Sequence, residues 1–526
     1  MFFRLKKRRS GEEDYEKNFM FDFISFCFLI KLLLIFAYHS TDFEVHRNWL
    51  RITYNLPLRE WYYDDISIWT LDYPPLFAYF EYLLTFPAHF LDKKMLEINQ
   101  EYKSENTIIY QRATVMISDL LFLYAISSFI QVSFGKNKQK YSYAVLFSFL
   151  QFGFLVVDNI HFQYNQFLQG IFILSLTKFI QGQNLLGGIL YAVVLCFKHI
   201  FLYSAPAIFF FLLKFYCFNK SNKLNLKNLS KLGLCVFTVF LISFLPFLSL
   251  DSIRQILSRM FPFQRGLVHA YWAPNFWALY CFADKVLSTL ARKLLRLHIN
   301  SKSTLTSGVV QVTQFDILPE IKPLYTIIAI LIISLPLWYK ILRNPKATNV
   351  LLYSSIQMLI FYMLGYHVHE KAILLPLGIY QLWAIGKQSR SRFVLLFSFV
   401  SGVGLLPLLP EHSETGTKLI GLFIYHLAYW AYLKRDCYRQ TSNFEDYKKY
   451  GMNFFAKFIL FSGTVIAIYG NVIHYIIFQK SENKFEYLPL MMHSVYGGLL
   501  NLYFLFEMYL ELFKSQNQTL IEETKR

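Results

Sequence analysis

The sequence predicts an all-α membrane protein with many transmembrane helices. Of its 526 residues, 55% are hydrophobic and 19% are aromatic, and the mean hydropathy is +0.34. This is more apolar surface than a soluble core of the same length needs. The net charge of +18 comes from lysines and arginines that lie in short clusters between apolar runs. Because such clusters hold inserted helices on the cytoplasmic side, the charge indicates a membrane as the partner and argues against nucleic acid.

The first apolar run, Phe21–Tyr38, predicts the orientation of the chain. A basic cluster from Arg4 to Arg9 precedes it, so residues 1–20 should form a cytoplasmic tail, and Asp42 should lie on the far side of the membrane. No small-residue cleavage site follows the run. We therefore expect a retained signal anchor.

Fourteen spans are predicted in one transmembrane domain, residues 21–513, which is followed by a cytoplasmic tail, residues 514–526. Several apolar runs are shorter than the roughly 20 residues of a full crossing, which predicts tilted or broken helices. The fourteen runs are Phe21–Tyr38, Ala113–Phe134, Ser142–Val157, Gln166–Ile180, Leu185–Phe197, Ile200–Phe218, Leu232–Leu250, Leu324–Tyr339, Val350–Tyr366, Ala372–Ile385, Phe393–Pro410, Thr417–Leu433, Asn453–Phe478 and Leu488–Phe513.

Two further apolar runs are predicted to lie at the membrane interface. Leu76–Leu91 is interrupted by a glutamate, a proline and a histidine, and Asn275–Leu290 contains an Asp-Lys pair. Leaving both out of the spans places the main basic clusters on the cytoplasmic side, as the positive-inside rule requires. The two runs then belong to long loops on the far side, residues 39–112 and 251–323.

The polar motifs converge on the same far side. Ionisable groups are costly to keep at lipid depth, so their convergence predicts a functional site. Asp119, which lies inside a span, should instead pair with a neighbouring helix. The converging segments are Asp42 to Asp72, Asp158 to Asn165, Lys198-His199, Arg259 to Trp277 and His367 to Lys371.

Five of these motifs resemble those of the dolichyl-phosphate-glucose-dependent glucosyltransferases of the endoplasmic reticulum, in the GT-C superfamily. The likeness runs in order over roughly residues 22–376. The motifs are Thr41-Asp42-Phe43-Glu44, Trp69-Thr70-Leu71-Asp72-Tyr73-Pro74-Pro75, Val157-Asp158-Asn159-Ile160-His161-Phe162-Gln163-Tyr164-Asn165, Arg259-Met260-Phe261-Pro262-Phe263-Gln264-Arg265-Gly266 and His367-Val368-His369-Glu370-Lys371.

The resemblance implies a GT-C fold of about fourteen transmembrane helices with interfacial helices in the lumen. It also implies an endoplasmic reticulum membrane enzyme with a lumenal site, a dolichyl-phosphate-glucose donor and a dolichyl-diphosphate-linked oligosaccharide acceptor. Membrane lipid is the other implied partner, and no cofactor or metal is expected. The segments Ser40 to Trp49 and Gly266 to Tyr280 resemble the family member that adds the second glucose. The alternative within the family is the sibling that adds the first.

The implied reaction inverts the anomeric carbon, so a single carboxylate can act as the base that removes the acceptor proton. The family pattern places that base at Asp42. The alternative is an interfacial ion pair between Asp42 and Arg47 or Arg51.

A departing phosphate needs cations near lipid depth. The candidates for donor phosphate binding are Lys198, Arg265, His367, His369 and Lys371. Arginine grips phosphate with a bidentate fork, and lysine acts as a point charge. Alternatively, the two lysines reach the interface without binding, and His367 only makes a hydrogen bond at a helix end.

Acceptor or sugar binding is expected of Glu44, Asp72, Trp69, His161, Gln163 and Asn165. Each has a plainer alternative. Glu44 could pair with a nearby arginine, Asp72 could cap the following helix, and Trp69 could be an interfacial anchor. The three residues of the third motif could simply satisfy backbone groups in an interrupted helix.

Two alternatives of other kinds stay open. His46 with Asp42 and Glu44 could bind a hard cation, although their spacing is not a recognised one. A transporter would also use buried charges, but it predicts inverted repeats and charges at mid-bilayer, whereas the polar motifs here gather at one face.

Overall fold

The structure of the chain is a computed structural model. It describes residues 22, 24–98, 102–135, 138–219, 221–261, 266–269, 271–294, 296, 314–385, 387–440, 452–478 and 485–523. These residues are helical nearly throughout, and their β-structure is limited to two isolated bridges, Phe218–Leu224 and Val268–Val368.

The principal helices follow the apolar runs of the sequence. They are α1 (Ile24–Leu33), α2 (Thr41–Asn55), α3 (Pro75–Leu91), α4 (Glu105–Phe134), α5 (Lys140–Phe162), α6 (Asn165–Ile180), α7 (Asn184–Phe197), α8 (Ala205–Phe215), α9 (Leu226–Phe244), α10 (Leu250–Met260), α11 (Phe276–Leu294), α12 (Pro323–Arg343), α13 (Val350–Leu364), α14 (Leu374–Ala384), α15 (Gln388–Leu405), α16 (Thr415–Gln440), α17 (Phe454–Phe478) and α18 (Leu488–Glu523).

The predicted all-α membrane architecture is confirmed in its general form. Seven helices of the described chain are long and apolar enough to cross a membrane: α4, α5, α9, α12, α13, α15 and α17. Three shorter apolar helices correspond to α1, α7 and α8. Every predicted span coincides with a helix, but the number of crossings, fourteen, stays a prediction. The runs expected at the interface form helices α3 and α11, which are not among the seven.

Helices α2 and α3 pack together in the loop that the sequence predicts on the far side of the membrane. Ser40 caps α2, because its hydroxyl accepts a hydrogen bond from the Asp42 N–H at 3.1 Å. Helix α3 begins at Pro75, where a missing N–H costs nothing. A buried hydrogen bond joins the two helices, with His46 Nδ1 lying 2.7 Å from a Glu81 oxygen. This loop therefore gives Asp42 a fixed position.

Helix α5 extends further than the sequence predicts. The apolar run ends at Val157, but the helix continues to Phe162 with π-helical geometry from Leu155. Its polar final turn is buried inside the protein, so an apolar sequence is not needed there. The widened π-turn, a form that is frequent at functional sites, turns this end of α5 towards α2.

A buried ion pair ties the first helix to the core. Lys31 Nζ lies 2.7 Å from a carboxylate oxygen of Asp119 on α4, and both side chains are fully buried. Lys31 also donates a hydrogen bond to the side chain of Gln166 on α6. The expectation that Asp119 pairs with a neighbouring helix is therefore confirmed.

Candidate active site

Asp42 lies at the junction of α2 and α5. It occupies the first turn of α2, where the helix dipole favours a carboxylate. The Ser40 hydroxyl donates a hydrogen bond to the His161 carbonyl at 2.7 Å, and the Ser40 N–H donates to the same oxygen at 3.2 Å. The start of α2 is thus fastened to the end of α5.

Three side chains from distant parts of the sequence surround the Asp42 carboxylate. Lys371 Nζ lies 2.8 Å from Asp42 Oδ2, Gln163 Nε2 donates to the same oxygen at 2.6 Å, and His161 Nδ1 lies 3.6 Å from it. Burial by itself would raise the Asp42 pKa, but Lys371, His161 and the hydrogen bond from Gln163 lower it well below its usual range. Asp42 is therefore ionised at neutral pH.

The alternative pairing of Asp42 with Arg47 or Arg51 is wrong. Arg47 Nε donates to Glu44 Oε2 at 2.7 Å, within one turn of α2, and Arg51 pairs with Asp64. Residues three apart on a helix face each other, so Glu44 reaches Arg47 where Asp42 does not. The plainer expectation for Glu44, an ion pair with a nearby arginine, is confirmed.

A chain of polar contacts links Asp42 to Lys198. Gln163 accepts a hydrogen bond from Asn165 Nδ2 at 2.8 Å, and Asn165 accepts one from Lys198 Nζ at 2.9 Å. Asn165 also donates to Asp158 at 2.8 Å. The amides of the third motif therefore connect the acidic and basic groups of the site.

Lys198 is buried in this network and does not extend to the surface. Its ammonium lies 4.8 Å from the centre of the Tyr73 ring. Burial, and next the charge of Lys371, lower the pKa of Lys198 to about 8. The alternative in which Lys198 merely reaches the interface is wrong, because its ammonium points into the site.

The His367–Lys371 segment is held in place by the loop before α11. Val268 and Val368 form a parallel bridge, and the His367 N–H donates to the Leu267 carbonyl at 2.9 Å. His367 Nδ1 lies 3.0 Å from the Gly266 carbonyl, in a left-handed backbone conformation with φ of 54°. This hydrogen bond at the bend agrees with the plainer expectation for His367. The same bend directs Lys371 towards Asp42.

A cluster that the sequence analysis missed lies beside this segment. The rings of His269 and His369 lie 3.9 Å apart, and His269 Nδ1 lies 3.7 Å from an oxygen of the buried Glu370. Burial would raise the Glu370 pKa, but His269 holds it below its ordinary value. The signal in the sequence was the His-x-His-Glu pattern, but its partner is 100 residues away along the chain.

Asp72 and Trp69 lie in the segment before α3. The expectation that Asp72 caps α3 is wrong, because the N-cap position is Pro74 and no side chain caps this helix. The charge of Asp72 nevertheless acts on Lys198. Trp69 is half-buried, and its carbonyl accepts a hydrogen bond from Asn48 at 2.8 Å. Arg265 lies outside the described residues.

The residues suggested as hard-cation ligands, His46, Asp42 and Glu44, do not form a common site in the structure. His46 is committed to Glu81 and Glu44 to Arg47, so the three proposed ligands do not face one another. The described residues instead bring together Asp42, His161, Gln163, Asn165, Lys198 and Lys371.

A cavity of about 460 Å³ opens beside the start of α2. Its walls include Tyr38 and His39, just before Asp42 in the chain, and Lys103, Glu411 and Glu414 from other segments. The Tyr38 N–H donates to Glu414 at 3.0 Å, which fixes one wall. Apolar residues, Phe36, Ala37 and Ile108, also line it.

Comparison with known proteins places this arrangement in context. A sequence model described as the ALG6, ALG8 glycosyltransferase family matches residues 27–508. The dolichyl pyrophosphate Glc1Man9GlcNAc2 alpha-1,3-glucosyltransferase of Bos taurus is 39% identical over 487 residues, which are 89% of this chain and 90% of the relative. The protein of the same name from Mus musculus is 40% identical, over 76% of this chain and 79% of the relative. The one from Arabidopsis thaliana is 38% identical, over 92% and 96%.

Proposed function

The chain belongs to the ALG6, ALG8 glycosyltransferase family, and we propose that it adds the second glucose to the lipid-linked precursor of N-glycans. The donor is dolichyl-phosphate-glucose, and the acceptor is the monoglucosylated dolichyl-diphosphate oligosaccharide. The product bond is α-1,3. The names of the relatives, which specify an acceptor that already carries one glucose, support this choice over the sibling enzyme.

The proposed reaction is one displacement with inversion. Asp42 takes the proton of the acceptor hydroxyl, the hydroxyl oxygen forms a bond to the anomeric carbon, and the bond from that carbon to the phosphate oxygen breaks. Dolichyl phosphate leaves with the electron pair. The contact that carries the proposal is the 2.8 Å ion pair between Asp42 and Lys371, because it puts a base beside a cation suited to the leaving phosphate.

Lys371 has two duties in this proposal. In the protein without substrate it neutralises Asp42, and a carboxylate whose pKa is so low is a weak base. A donor phosphate is a stronger attraction for the ammonium, because it carries more charge. When the donor binds, Lys371 turns towards the phosphate, the Asp42 pKa rises, and the base becomes competent only with its donor in place.

The other cations complete the donor site. Lys198 is buried and linked to Asp42 through Asn165 and Gln163, so its charge faces the same space. His369 and His367 precede Lys371 by two and four residues, and Arg265 immediately precedes the glycine whose carbonyl contacts His367. We assign all five to the donor phosphate.

The acceptor sugars are assigned to the polar side chains next to Asp42 and to the segment before α3. His161, Gln163 and Asn165 offer donors and acceptors to sugar hydroxyls, and we assign Asp72 and Trp69, from the preceding motif of the sequence, to the same role. The sequence also suggests Glu44 as a sugar-binding residue. Because Glu44 pairs with Arg47 within α2, we assign it instead to stabilising that helix. The reaction takes place on the lumenal face of the endoplasmic reticulum membrane.

One assay tests the proposal. The purified protein is given dolichyl-phosphate-glucose with either the unglucosylated or the monoglucosylated acceptor. We expect turnover of the monoglucosylated acceptor alone. Turnover of the unglucosylated acceptor alone would assign the protein to the first glucose, and turnover of neither would favour a transporter.

A further inference from the structure

Three potential metal ligands converge between the loop before α11 and the segment before α14. They are His269, His369 and Glu370, and one ligand atom from each lies within 4.8 Å of the others. The parallel bridge between Val268 and Val368 holds the two backbone segments side by side. The residues that follow each valine therefore face one another as a consequence of the fold.

Glu370 is a buried carboxylate at the centre of this group. Its side chain is only 3% exposed, and neither carboxylate oxygen has a hydrogen-bond partner among the described residues. His269 Nδ1 lies 3.7 Å from Glu370 Oε2, beyond hydrogen-bonding distance. A buried carboxylate without hydrogen bonds is costly unless a cation approaches it.

We propose that His269, His369 and Glu370 form a binding site for one divalent transition-metal ion of the zinc class. Two imidazoles and one carboxylate are a ligand set that zinc accepts, with water in the fourth position. Hard cations such as Mg²⁺ and Ca²⁺ prefer an all-oxygen shell. The site is distinct from the hard-cation set considered at Asp42, and it shares only His369 with the proposed donor-phosphate residues.

The geometry requires a modest closure of the side chains. Zinc bonds of about 2.0–2.1 Å in a tetrahedron put neighbouring ligand atoms about 3.3 Å apart. The ligand atoms of the protein lie within 4.8 Å of one another, so rotations about the side-chain bonds can bring them to the ion. His269 and His369 are partly exposed, which leaves a path for the ion to enter.

The bound ion would stabilise the part of the site that carries Lys371. Glu370 immediately precedes Lys371, whose ammonium contacts Asp42 at 2.8 Å. A metal that joins Glu370 to His269 therefore fixes the backbone from which Lys371 extends. The inference concerns metal binding and does not depend on the proposed reaction.

The test is zinc binding by the full-length protein, purified with a tag that contains no histidine and without donor or acceptor. Isothermal titration should show one equivalent bound. His269→Asn and Glu370→Gln should each weaken that binding by more than about 100-fold, because loss of a supporting residue alone typically costs 10–100-fold. The control is His412→Asn, which removes an exposed histidine from another part of the chain and should leave binding unchanged.

A measurement on the unmodified protein guards against variants that fail to fold. X-ray absorption at the zinc edge should report two imidazole nitrogens and oxygen ligands in the first shell. The site would be overturned if the titration did not show one bound equivalent of zinc, or if all three variants bound zinc with equal affinity. A first coordination shell without imidazole would also overturn it. Because no glucose transfer is measured, these outcomes are independent of the transfer assay.

Discussion

Replacing Asp42 with asparagine removes the proposed base with almost no change in shape. The amide can still accept the hydrogen bond that Gln163 Nε2 donates at 2.6 Å, and Ser40 still caps α2 through the backbone N–H of residue 42. The lost functions are the negative charge and the ability to take a proton. The substitution therefore separates chemistry from architecture.

The expected loss of rate is large, and the expected loss of stability is small. A positioned general base contributes about 10²- to 10⁴-fold to rate, or about 3–5 kcal/mol in the barrier. Breaking a fully buried ion pair costs about 3–5 kcal/mol of stability. The side chains of Asp42 and Lys371 retain 21% and 13% exposure, and water can reach the lone ammonium. We therefore expect about 1–2 kcal/mol, well below the cost of a fully buried pair.

The assay follows transfer of labelled glucose from dolichyl-phosphate-glucose, with donor binding and thermal unfolding measured on the same preparation. Glu44→Gln is the matched control, because it makes the same carboxylate-to-amide change two residues along α2. Glu44 pairs with the buried side chain of Arg47, so this variant should lose at least as much stability as Asp42→Asn, about 1–3 kcal/mol. Its transfer rate should stay close to that of the unmodified protein.

Two results would refute the reasoning about Asp42. Near-normal turnover by Asp42→Asn would move the base to another carboxylate, with Glu44 and Asp72 next in line. An equal loss of rate in Glu44→Gln would show that any change in the charge of α2 disables the enzyme, and Asp42 would have no special role.

Other expectations follow from the same contacts. Lys371→Met should slow transfer by about 10²- to 10³-fold, as loss of a charge-stabilising donor does. Without Lys371, burial raises the Asp42 pKa, so the acid limb of the kcat/KM profile should move to higher pH. An acid limb that stays in place would show that Lys371 does not set the Asp42 pKa. Since the Lys198 pKa is lowered to about 8, Lys198 loses its proton as the pH rises through that value, and donor affinity should fall there. The Lys198→Arg variant, measured by donor titration, should lack this fall. Lys31→Met should cost about 3–5 kcal/mol of stability, because it leaves Asp119 unpaired. Most of the lost stability should return in the double variant Lys31→Met/Asp119→Leu. A double variant no more stable than Lys31→Met would contradict the pairing.

Much of the helical framework could be predicted from the sequence because apolar runs leave a clear signal. The end of α5 could not, since Asp158 and His161 are polar and yet buried inside the protein. Hydropathy measures the cost of contact with lipid. It does not register a polar turn that other helices surround.

The sequence predicts which residues belong to the site better than it predicts which of them contact one another. Asp42 and Lys371 were singled out separately, but nothing in the chain shows that residues 329 positions apart form one ion pair. Asp72 was expected to cap a helix because of its residue type, whereas the two prolines after it move the helix start beyond its reach. The sequence offers His46 as a metal ligand, whereas the structure gives it Glu81 on α3 as its partner. Pairings of this kind are decided by tertiary packing.

The ion pair between Lys31 and Asp119 has a consequence for biogenesis. The two residues are 88 positions apart, so α1 is synthesised well before its partner on α4. A lone lysine in an apolar helix costs roughly 2.5–3.5 kcal/mol on insertion scales, which offsets much of the favourable insertion of its apolar neighbours. Helix α1 becomes secure when α4 docks against it. Early assembly is therefore cooperative, and a nascent chain that stops before α4 should be a preferred substrate of membrane quality control.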